Sequence, residues 1–325
     1  MPLTQTHLAS MTSMASLRST VGTVLRGSTV GTVLRATIGP ARTRALAARL
    51  TPATPPPLAP KSRFRPSEAF VPAPKATVTH YAFLRGIHER LEPRTYVEVG
   101  VRHGDSLALS RARSVGIDPA FSITAELQCD VQLVRSTSDE FFARPHAFDF
   151  FEGVPVDFAF IDGMHLAEFA FRDFLGVEPA MASTGIIALD DMLPRNGLEA
   201  ARDRLTQGWA GDVFKVVEVL RRHRPDLAIV LVNTRPTGTA LVFGVDPTWS
   251  GADDVIAAET PYFLAVDPQT PPQHYLDRTV AVAPETVLSS SVWDVLVAER
   301  ENPTPDGRAR ILDEVRSWPT LDPVE

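Results

Sequence analysis

The sequence predicts a doubly wound α/β fold, in which helices cover both faces of a mostly parallel, seven-stranded sheet. Short apolar runs at 95–100, 114–118, 131–136, 156–162 and 184–191 predict strands, and several are separated by stretches with helical periodicity. After the helical segment "VFKVVEVLRRHR", two more apolar runs are joined only by "TRPTG". Because so short a turn joins only antiparallel strands, the sheet should close with a C-terminal β hairpin.

The composition is that of a folded chain without a membrane span. Of the 325 residues, 44% are hydrophobic, which is enough to bury a substantial core. The longest apolar runs are of strand length and fall short of the ~20 residues that cross a bilayer. Cys129 is the single cysteine, which excludes an intrachain disulfide and a cysteine zinc cage. We therefore predict a cytoplasmic location and no association with membranes.

Three regions follow from local composition. Residues 1–66 are rich in Ser, Thr, Ala, Pro and Arg, contain the octet "STVGTVLR" twice, and predict a disordered basic tail. An organellar transit peptide, a misassigned start codon and a plain solvated tail remain alternatives for it. Residues 67–250 form the predicted α/β domain. Residues 251–325 predict a partly helical C-terminal extension in which no motif indicates chemistry.

Charge is distributed unevenly along the chain. Residues 1–67 contain nine basic residues and no acidic one, which leaves 23 basic and 39 acidic residues, a net charge of −16, in the remainder. Nucleic-acid binding depends on neutralising phosphates, so a body this acidic argues against a nucleic-acid partner.

The loop after the first strand has the features of a ligand-binding loop. In "EVGVRHGDS", Gly100 and Gly104 let the backbone approach a ligand, and a helix is expected to begin at about Ser106. The dinucleotide pattern G-x-G-x-x-G is absent, and Glu98 lies inside the strand, where a phosphate would be repelled. This argues against NAD and nucleoside triphosphates.

Polar residues also follow the second and third strands. Asp118 ends the second strand, at the position where an acid accepts hydrogen bonds from both ribose hydroxyls in nucleoside-binding doubly wound folds. Ser138 follows the third strand, where the edge of an adenine would lie. The alternative for Ser138 is the N-cap of the next helix. In the same way, Asp212 is interpreted as the N-cap of the helix that it precedes.

Together these motifs resemble the class I S-adenosylmethionine-dependent methyltransferases, which have a Rossmann-like fold. The resemblance is carried by the acid-x-Gly-x-x-x-Gly loop, the acid ending the second strand, "FIDGMH", "LDD" and the closing hairpin, and it spans roughly residues 77–247. It is strongest to the branch that includes metal-dependent sugar and macrolide O-methyltransferases.

The resemblance implies a role for each matching residue. S-adenosylmethionine would be bound by residues at the ends of the first four strands: Glu98, Gly100, Gly104, Ser106, Asp118, Ser138 and Asp162. Asp162, Asp190 and Asp191 would bind a divalent metal. His165 matches a proposed general base, with a surface position at a helix start as its alternative.

The carboxylates support the metal independently of the resemblance. Three acids at the ends of adjacent strands repel one another unless a cation lies between them, and hard oxygen ligands favour Mg²⁺. The alternative is that Asp162 and Asp190 cap the following helices. We therefore expect a Mg²⁺-assisted O-methyltransferase that acts on a hydroxylated small molecule. A metal-independent methyltransferase and a nucleoside-binding scaffold without activity are the competing hypotheses, and the sequence leaves open whether the chain forms a homo-oligomer.

Overall fold

The structure, a computed structural model, describes residues 76–319. All of them belong to one compact unit. The predicted tail, with its repeated octet, lies outside the described residues, as do the first residues of the predicted α/β domain.

A single mixed sheet forms the centre of the described chain. Its strands are β1 (Thr95–Val99), β2 (Arg113–Ile117), β3 (Val131–Val134), β4 (Val156–Ile161), β5 (Met181–Leu189), β6 (Ala228–Val232), β7 (Thr239–Phe243) and β8 (Ala281–Val282). They are arranged in the order β3-β2-β1-β4-β5-β7-β6-β8. Only β7 runs antiparallel to its neighbours, β5 and β6. The doubly wound fold with a closing antiparallel hairpin is thus confirmed.

Nine α-helices accompany these strands within residues 76–319. They are α1 (His80–Leu91), α2 (Ser138–Phe142), α3 (Ala167–Val177), α4 (Phe214–His223), α5 (Ala252–Phe263), α6 (Gln273–Leu276), α7 (Pro284–Ser289), α8 (Val292–Glu301) and α9 (Gly307–Arg316). Helix α1 begins where the Thr79 side chain accepts a hydrogen bond from the amide of Ala82 and ends at Glu92, just before Pro93. Short 3₁₀ turns complete the chain, including Leu107–Leu109.

Two predictions about individual elements were wrong. No α-helix begins at Ser106, because the Ser110 hydroxyl binds both the Ala112 amide and Ser114, which ends the turn after Leu107–Leu109. The sheet has an eighth strand, β8, whose two residues are too few to produce a sequence pattern. They pair in parallel with Leu231 and Val232 of β6.

Buried side chains alternate between the two faces of the sheet. On β4, Ala159 and Ile161 pack against α3, α4 and α5, while Phe158 and Phe160 pack against α1 and the C-terminal helices α7, α8 and α9. Both faces are therefore covered, which explains why apolar residues of the strands lie on both faces of the sheet.

No helix among residues 76–319 is long and apolar enough to cross a membrane.

Candidate active site

The strand ends bring the predicted site residues to one edge of the sheet. Backbone amides of Gly100, Asp118, Asp162 and Asp190 each donate to the last residue of a neighbouring strand, at 2.8 to 3.1 Å. These four residues therefore follow β1, β2, β4 and β5 side by side. In an open α/β sheet, this carboxyl edge is where ligands bind.

Gly100 is required by a close approach between two of these loops. Its φ is +92°, and an added Cβ would overlap the carbonyl oxygen of Asp162. Gly104 also has a positive φ, +83°, and its amide donates to Val101 at 2.8 Å. The two glycines fold the loop after β1 tightly against the end of β4.

Glu98 is completely buried beneath this loop. Its carboxyl oxygens accept hydrogen bonds from the Tyr96 hydroxyl at 2.7 Å and from the Ser106 hydroxyl at 2.8 Å. Burial raises the pKa of Glu98 to about 8 against the effect of these two donors, and the charges of Asp162 and Asp118 add to the rise. Glu98 and Ser106, both predicted to contact cofactor, therefore contact each other at the base of the loop.

Asp118 joins the ends of β1 and β2. Its Oδ2 accepts from the Arg102 amide at 2.8 Å and its Oδ1 accepts from the Ala120 amide at 2.6 Å. Each carboxylate oxygen can accept a second hydrogen bond, so the predicted ribose contact is compatible with this geometry.

After β3, Ser138 is not the N-cap that the alternative prediction made it. Thr137, not Ser138, caps α2, and it forms a capping box with Glu140. The Ser138 side chain instead hydrogen-bonds to Asp173 on α3, whose pKa burial raises to about 7. The nearby hydroxyl of Ser136 is buried without a hydrogen-bond partner.

The ends of β4 and β5 form a cluster of ligand-type atoms. One atom each from Asp162, His165 and Asp191 lies within 4.8 Å of the other two. His165 Nε2 is 3.4 Å from Asp162 Oδ1, and its Nδ1 is 2.9 Å from Asp191 Oδ2. The structure thus groups His165 with two of the three acids that were predicted to bind metal.

Asp190, the third predicted ligand, lies beside this cluster. Its Oδ1 accepts from the Thr239 hydroxyl at 3.0 Å, and its Oδ2 is 3.9 Å from His80 Nδ1. Burial raises its pKa well above the usual value, and repulsion by Asp191 and Asp162 adds to the effect. The acids are therefore close enough to disfavour full ionisation.

His165 compensates part of this negative charge. Burial disfavours the imidazolium, but the charges of Asp191 and Asp162 outweigh burial and raise the pKa of His165 well above its ordinary value. Burial raises the pKa of Asp191, but the charge of the His165 cation and the hydrogen bond from the Thr237 hydroxyl outweigh burial. The pKa of Asp191 is therefore lowered. The predicted general base is therefore the counter-ion of two carboxylates in this arrangement.

Several residues of the site were missed by the sequence analysis. The Trp209 ring stacks on His165 at 5.1 Å, and the Trp209 carbonyl lies 2.7 Å from His165 Nδ1. Thr237, in the β6–β7 turn, donates its hydroxyl proton to Asp191. Trp209 lies in a loop and Thr237 in the "TRPTG" turn, where the sequence indicates no site role, so only the path of the folded chain reveals their contacts.

The start of α1 also borders the site. Tyr81, in the first turn of α1, is exposed. Burial of part of its ring raises its pKa, and Asp105, Asp162 and Asp190 add to the rise, so its hydroxyl lies near these carboxylates. His80 and Tyr81 therefore lie next to the acidic residues of the site.

Asp212 does not cap the helix that follows it. Its Oδ1 accepts from the amide of Ala167, the first residue of α3, at 2.9 Å, and its Oδ2 binds Lys215 and Arg202. Since Asp212 accepts the amide that opens α3, the capping alternative for Asp162 finds no support at that amide. Asp162 faces His165 instead.

Comparison with known protein families matches one part of the chain. A family model described as a methyltransferase domain matches residues 97–192, from β1 to the residue after Asp191. The resemblance to methyltransferases is thereby confirmed for this segment. No curated protein matches the chain.

Several solved structures have a similar fold. Cofactor-bound Rv0187 from MTB is 16% identical, covering 67% of this chain and 96% of that one, with a TM-score of 0.40. The SAH-bound methyltransferase PaMTH1 of Podospora anserina is 13% identical, covering 74% and 100%, with a TM-score of 0.38. The O-methyltransferase TomG of Streptomyces achromogenes, in complex with SAM, is 18% identical, covering 53% and 83%, with a TM-score of 0.38.

Proposed function

We propose that the protein transfers a methyl group from S-adenosylmethionine to a hydroxyl oxygen of a small molecule, with Mg²⁺ bound beside the acceptor. The observation that carries the proposal is the convergence of Asp162, His165 and Asp191 within 4.8 Å, next to the Gly100 loop of a methyltransferase domain. A cofactor loop and a cluster of metal-ligand atoms at one sheet edge suit methyl transfer to an activated hydroxyl.

The cofactor would lie along the ends of β1 to β4. Gly100 and Gly104 would border its methionine part, with Glu98 and Ser106 supporting the loop from below. Asp118 would accept the ribose hydroxyls, and Ser138 would lie near the adenine. Asp162 would border both the cofactor and the acceptor, because its backbone adjoins Gly100 while its side chain faces His165.

The donor set at the ends of β4 and β5 fits a hard divalent cation. The carboxylates of Asp162 and Asp191 converge, and Asp190 adds a third carboxylate whose pKa burial and neighbouring acids raise. Mg²⁺ would supply positive charge that lowers the pKa of a bound acceptor hydroxyl. Thr237 and Thr239 would keep Asp191 and Asp190 oriented through their hydroxyl donors.

His165 would accept the acceptor's proton once a cation neutralises the two carboxylates that now raise its pKa. Trp209 would orient the ring by stacking and through its carbonyl at Nδ1, which leaves Nε2 on the side of Asp162. Methyl transfer is an in-line displacement, so positioning and deprotonation supply most of the catalysis.

A metal-independent methyltransferase is the second candidate, and one observation favours it. The His165 cation already pairs with both Asp162 and Asp191, so the cluster has a counter-charge of its own. In that case the acids would orient His165 and the acceptor without an ion.

Calorimetric titration and a methyl-release assay separate these candidates. S-adenosylmethionine should bind with or without Mg²⁺, whereas transfer to hydroxylated acceptors should stop in excess chelator and return with added Mg²⁺. Full turnover in chelator would select the metal-independent enzyme. Cofactor binding without transfer to any acceptor, in a broad screen with labelled cofactor, would select the scaffold hypothesis.

A pair of matched variants tests which acids bind the ion. If the ligands are those grouped by the structure, Asp162→Asn should raise the Mg²⁺ concentration needed for half-maximal activity more than Asp190→Asn does, because Asp190 lies outside the group. The sequence-based set instead predicts an equally steep rise for both. His165→Ala should lower turnover by roughly a hundredfold, as for loss of a general base.

The acceptor is proposed to be a sugar or a polyketide-like product. The proposal rests on the O-methyltransferase resemblance and on the acidic net charge of the body, which disfavours nucleic acid. A cytoplasmic location also stays a prediction.

A further inference from the structure

Arg278 is a fully buried cation in the C-terminal extension, between α6 and β8. Only 1% of its surface is exposed. Its Nη1 donates to Asn233 Oδ1 at 2.7 Å and to the Thr234 carbonyl at 3.0 Å. Its Nη2 donates to the carbonyls of Leu193, at 3.2 Å, and Pro236. One guanidinium therefore fixes two separate segments.

These two segments hold Asp191 between them. Leu193 lies two residues after Asp191, and residues 233–236 belong to the turn, 233–238, that joins β6 to β7. The same segments are joined directly, because the Met192 amide donates to Gly238 at 3.1 Å and the Leu193 amide donates to Thr237. Thr237 also donates its hydroxyl proton to Asp191. The turn that Arg278 binds is thus the turn that orients the carboxylate.

The backbone of Asp191 requires such support. Its φ is +65°, a left-handed conformation that costs about 1 to 2 kcal/mol in a residue with a Cβ. A strained conformation persists where the surroundings fix it. Here the surroundings are the β6–β7 turn and the Leu193 segment, and Arg278 is the side chain that bonds to both.

Arg278 is also costly to bury, which argues for a specific role. Its Nε is buried without a hydrogen-bond partner. Burial lowers its pKa to about 10, so it still carries its charge at neutral pH. An apolar residue could fill this volume, but it could not donate to four acceptors on two segments.

We propose that Arg278 is a positioning residue for Asp191, acting through the β6–β7 turn and the Leu193 segment, and so makes the C-terminal extension part of the active site. The inference rests on the proposed function only in assigning Asp191 to metal binding. The part that concerns how Arg278 positions Asp191 does not depend on that function. It also assigns a role to a region that carries no recognisable motif.

Arg224 provides a matched control because it is an equally buried arginine at the opposite edge of the sheet. It is 1% exposed and pairs with Glu178 at 2.8 Å and with Asp226 at 3.0 Å. These residues precede β5 and β6, whereas Asp191 follows β5. Arg278→Lys and Arg224→Lys each keep the charge and remove a planar fork.

The test compares three measurements on the full chain: the ring-nitrogen NMR signals of His165 without added ion, Mn²⁺ binding by calorimetry, and S-adenosylmethionine binding. His165→Gln identifies the His165 signals by their loss. Arg278→Lys should shift them, since His165 contacts Asp191, and should weaken Mn²⁺ binding at least tenfold while cofactor affinity stays within twofold. Arg224→Lys should leave all three unchanged.

Unchanged His165 signals in a folded Arg278→Lys protein would overturn the inference. If that variant does not fold, Asn233→Ala removes one of the four acceptors and should give a smaller shift in the same signals; no shift would also overturn it. Absence of Mn²⁺ binding to the unaltered protein would contradict the metal in the proposed function. The His165 signals would still decide the role of Arg278.

Discussion

At the scale of single residues, the positions of the acidic site residues were more predictable than the contacts that surround them. Asp118, Asp162 and Asp190 could be placed at strand ends because each follows an apolar run, and parallel strands end at one edge. The partners of the cluster could not, since Trp209 reaches His165 and Thr237 reaches Asp191 through loops that have no periodicity. His165 was predicted as a base, and its pairing with two acids appears only when β4 and β5 lie side by side.

Asp118 provides a direct test of cofactor binding. Asp118→Ala should weaken S-adenosylmethionine binding by about 1 to 3 kcal/mol, because the ribose hydroxyls would lose a charged acceptor. Calorimetric titration measures this loss. Asp130→Ala, an exposed acid that precedes β3, should bind like the unaltered protein. Equal affinity in all three proteins would remove Asp118 from the site.

His88 should make the protein less stable in acid. Burial between Tyr96 and Phe158 lowers its pKa to about 4, from an ordinary value of 6.5. Between these values the unfolded chain binds a proton that the folded chain excludes, so stability falls as the pH is lowered, by about 3 kcal/mol over the full window.

Urea unfolding of His88→Leu at several pH values measures this contribution. The difference in unfolding free energy between the variant and the unaltered protein isolates His88, because Glu98 and Asp173 have raised pKa values and act in the opposite direction in both proteins. The difference should shift in favour of the variant as the pH falls from 6.5 to 4. A pH-independent difference for His88→Leu would contradict the assignment.

At the scale of elements, long apolar strands were predictable and short or irregular elements were not. The bounds of β1 to β4 agree with the predicted strands to within two residues. Between β1 and β2 the sequence suggested a helix, but serine side chains that bind the local backbone end it after one turn. β8 was missed because its two residues acquire their pairing only from the position of β6.

The close approach between the loop after β1 and the end of β4 can be tested by substituting two glycines. Gly100→Ala should destabilise the protein by more than about 3 kcal/mol, for two reasons. The added Cβ would overlap the Asp162 carbonyl, and alanine would have to adopt an unfavourable positive φ. Gly153 has a similar φ, +83°, but open space around it, so Gly153→Ala should cost only about 1 to 2 kcal/mol. Denaturant unfolding measures both. Equal losses would mean that the close approach is unimportant.

At the scale of the whole molecule, the two ends of the chain should differ in importance. Among the described residues, the C-terminal extension supplies core residues such as Val282, Trp293, Leu296 and Ile311, which pack with α1 on one face of the sheet. The sequence described this region only as a helical extension, because the helices lack a motif. Their role depends on long-range packing that local patterns do not encode.

A shortened chain that begins at Arg65 should fold and bind S-adenosylmethionine like the full chain, because residues 1–66 lack a periodic core pattern. Thermal unfolding and calorimetry measure this. A large drop in melting temperature would show that the repeated octets contribute to the fold.

A chain that ends at residue 250 should behave in the opposite way. Removal of the extension would expose the buried face that Trp293 and Leu296 cover and leave β6 without β8, so we expect aggregation or a molten state. Circular dichroism and size-exclusion chromatography would show it. A soluble, cooperatively folded product would contradict the packing described for this face.

The bonds from Arg278 to the Leu193 segment and the β6–β7 turn also constrain the order of events during synthesis. The segment recognised as a methyltransferase domain ends at residue 192, and it leaves the ribosome long before Arg278 does. A nascent chain can therefore form β1 to β5 while Asp191 still lacks the turn and the arginine that hold it. The proposed active site is therefore completed late, by residues that contribute no chemistry of their own.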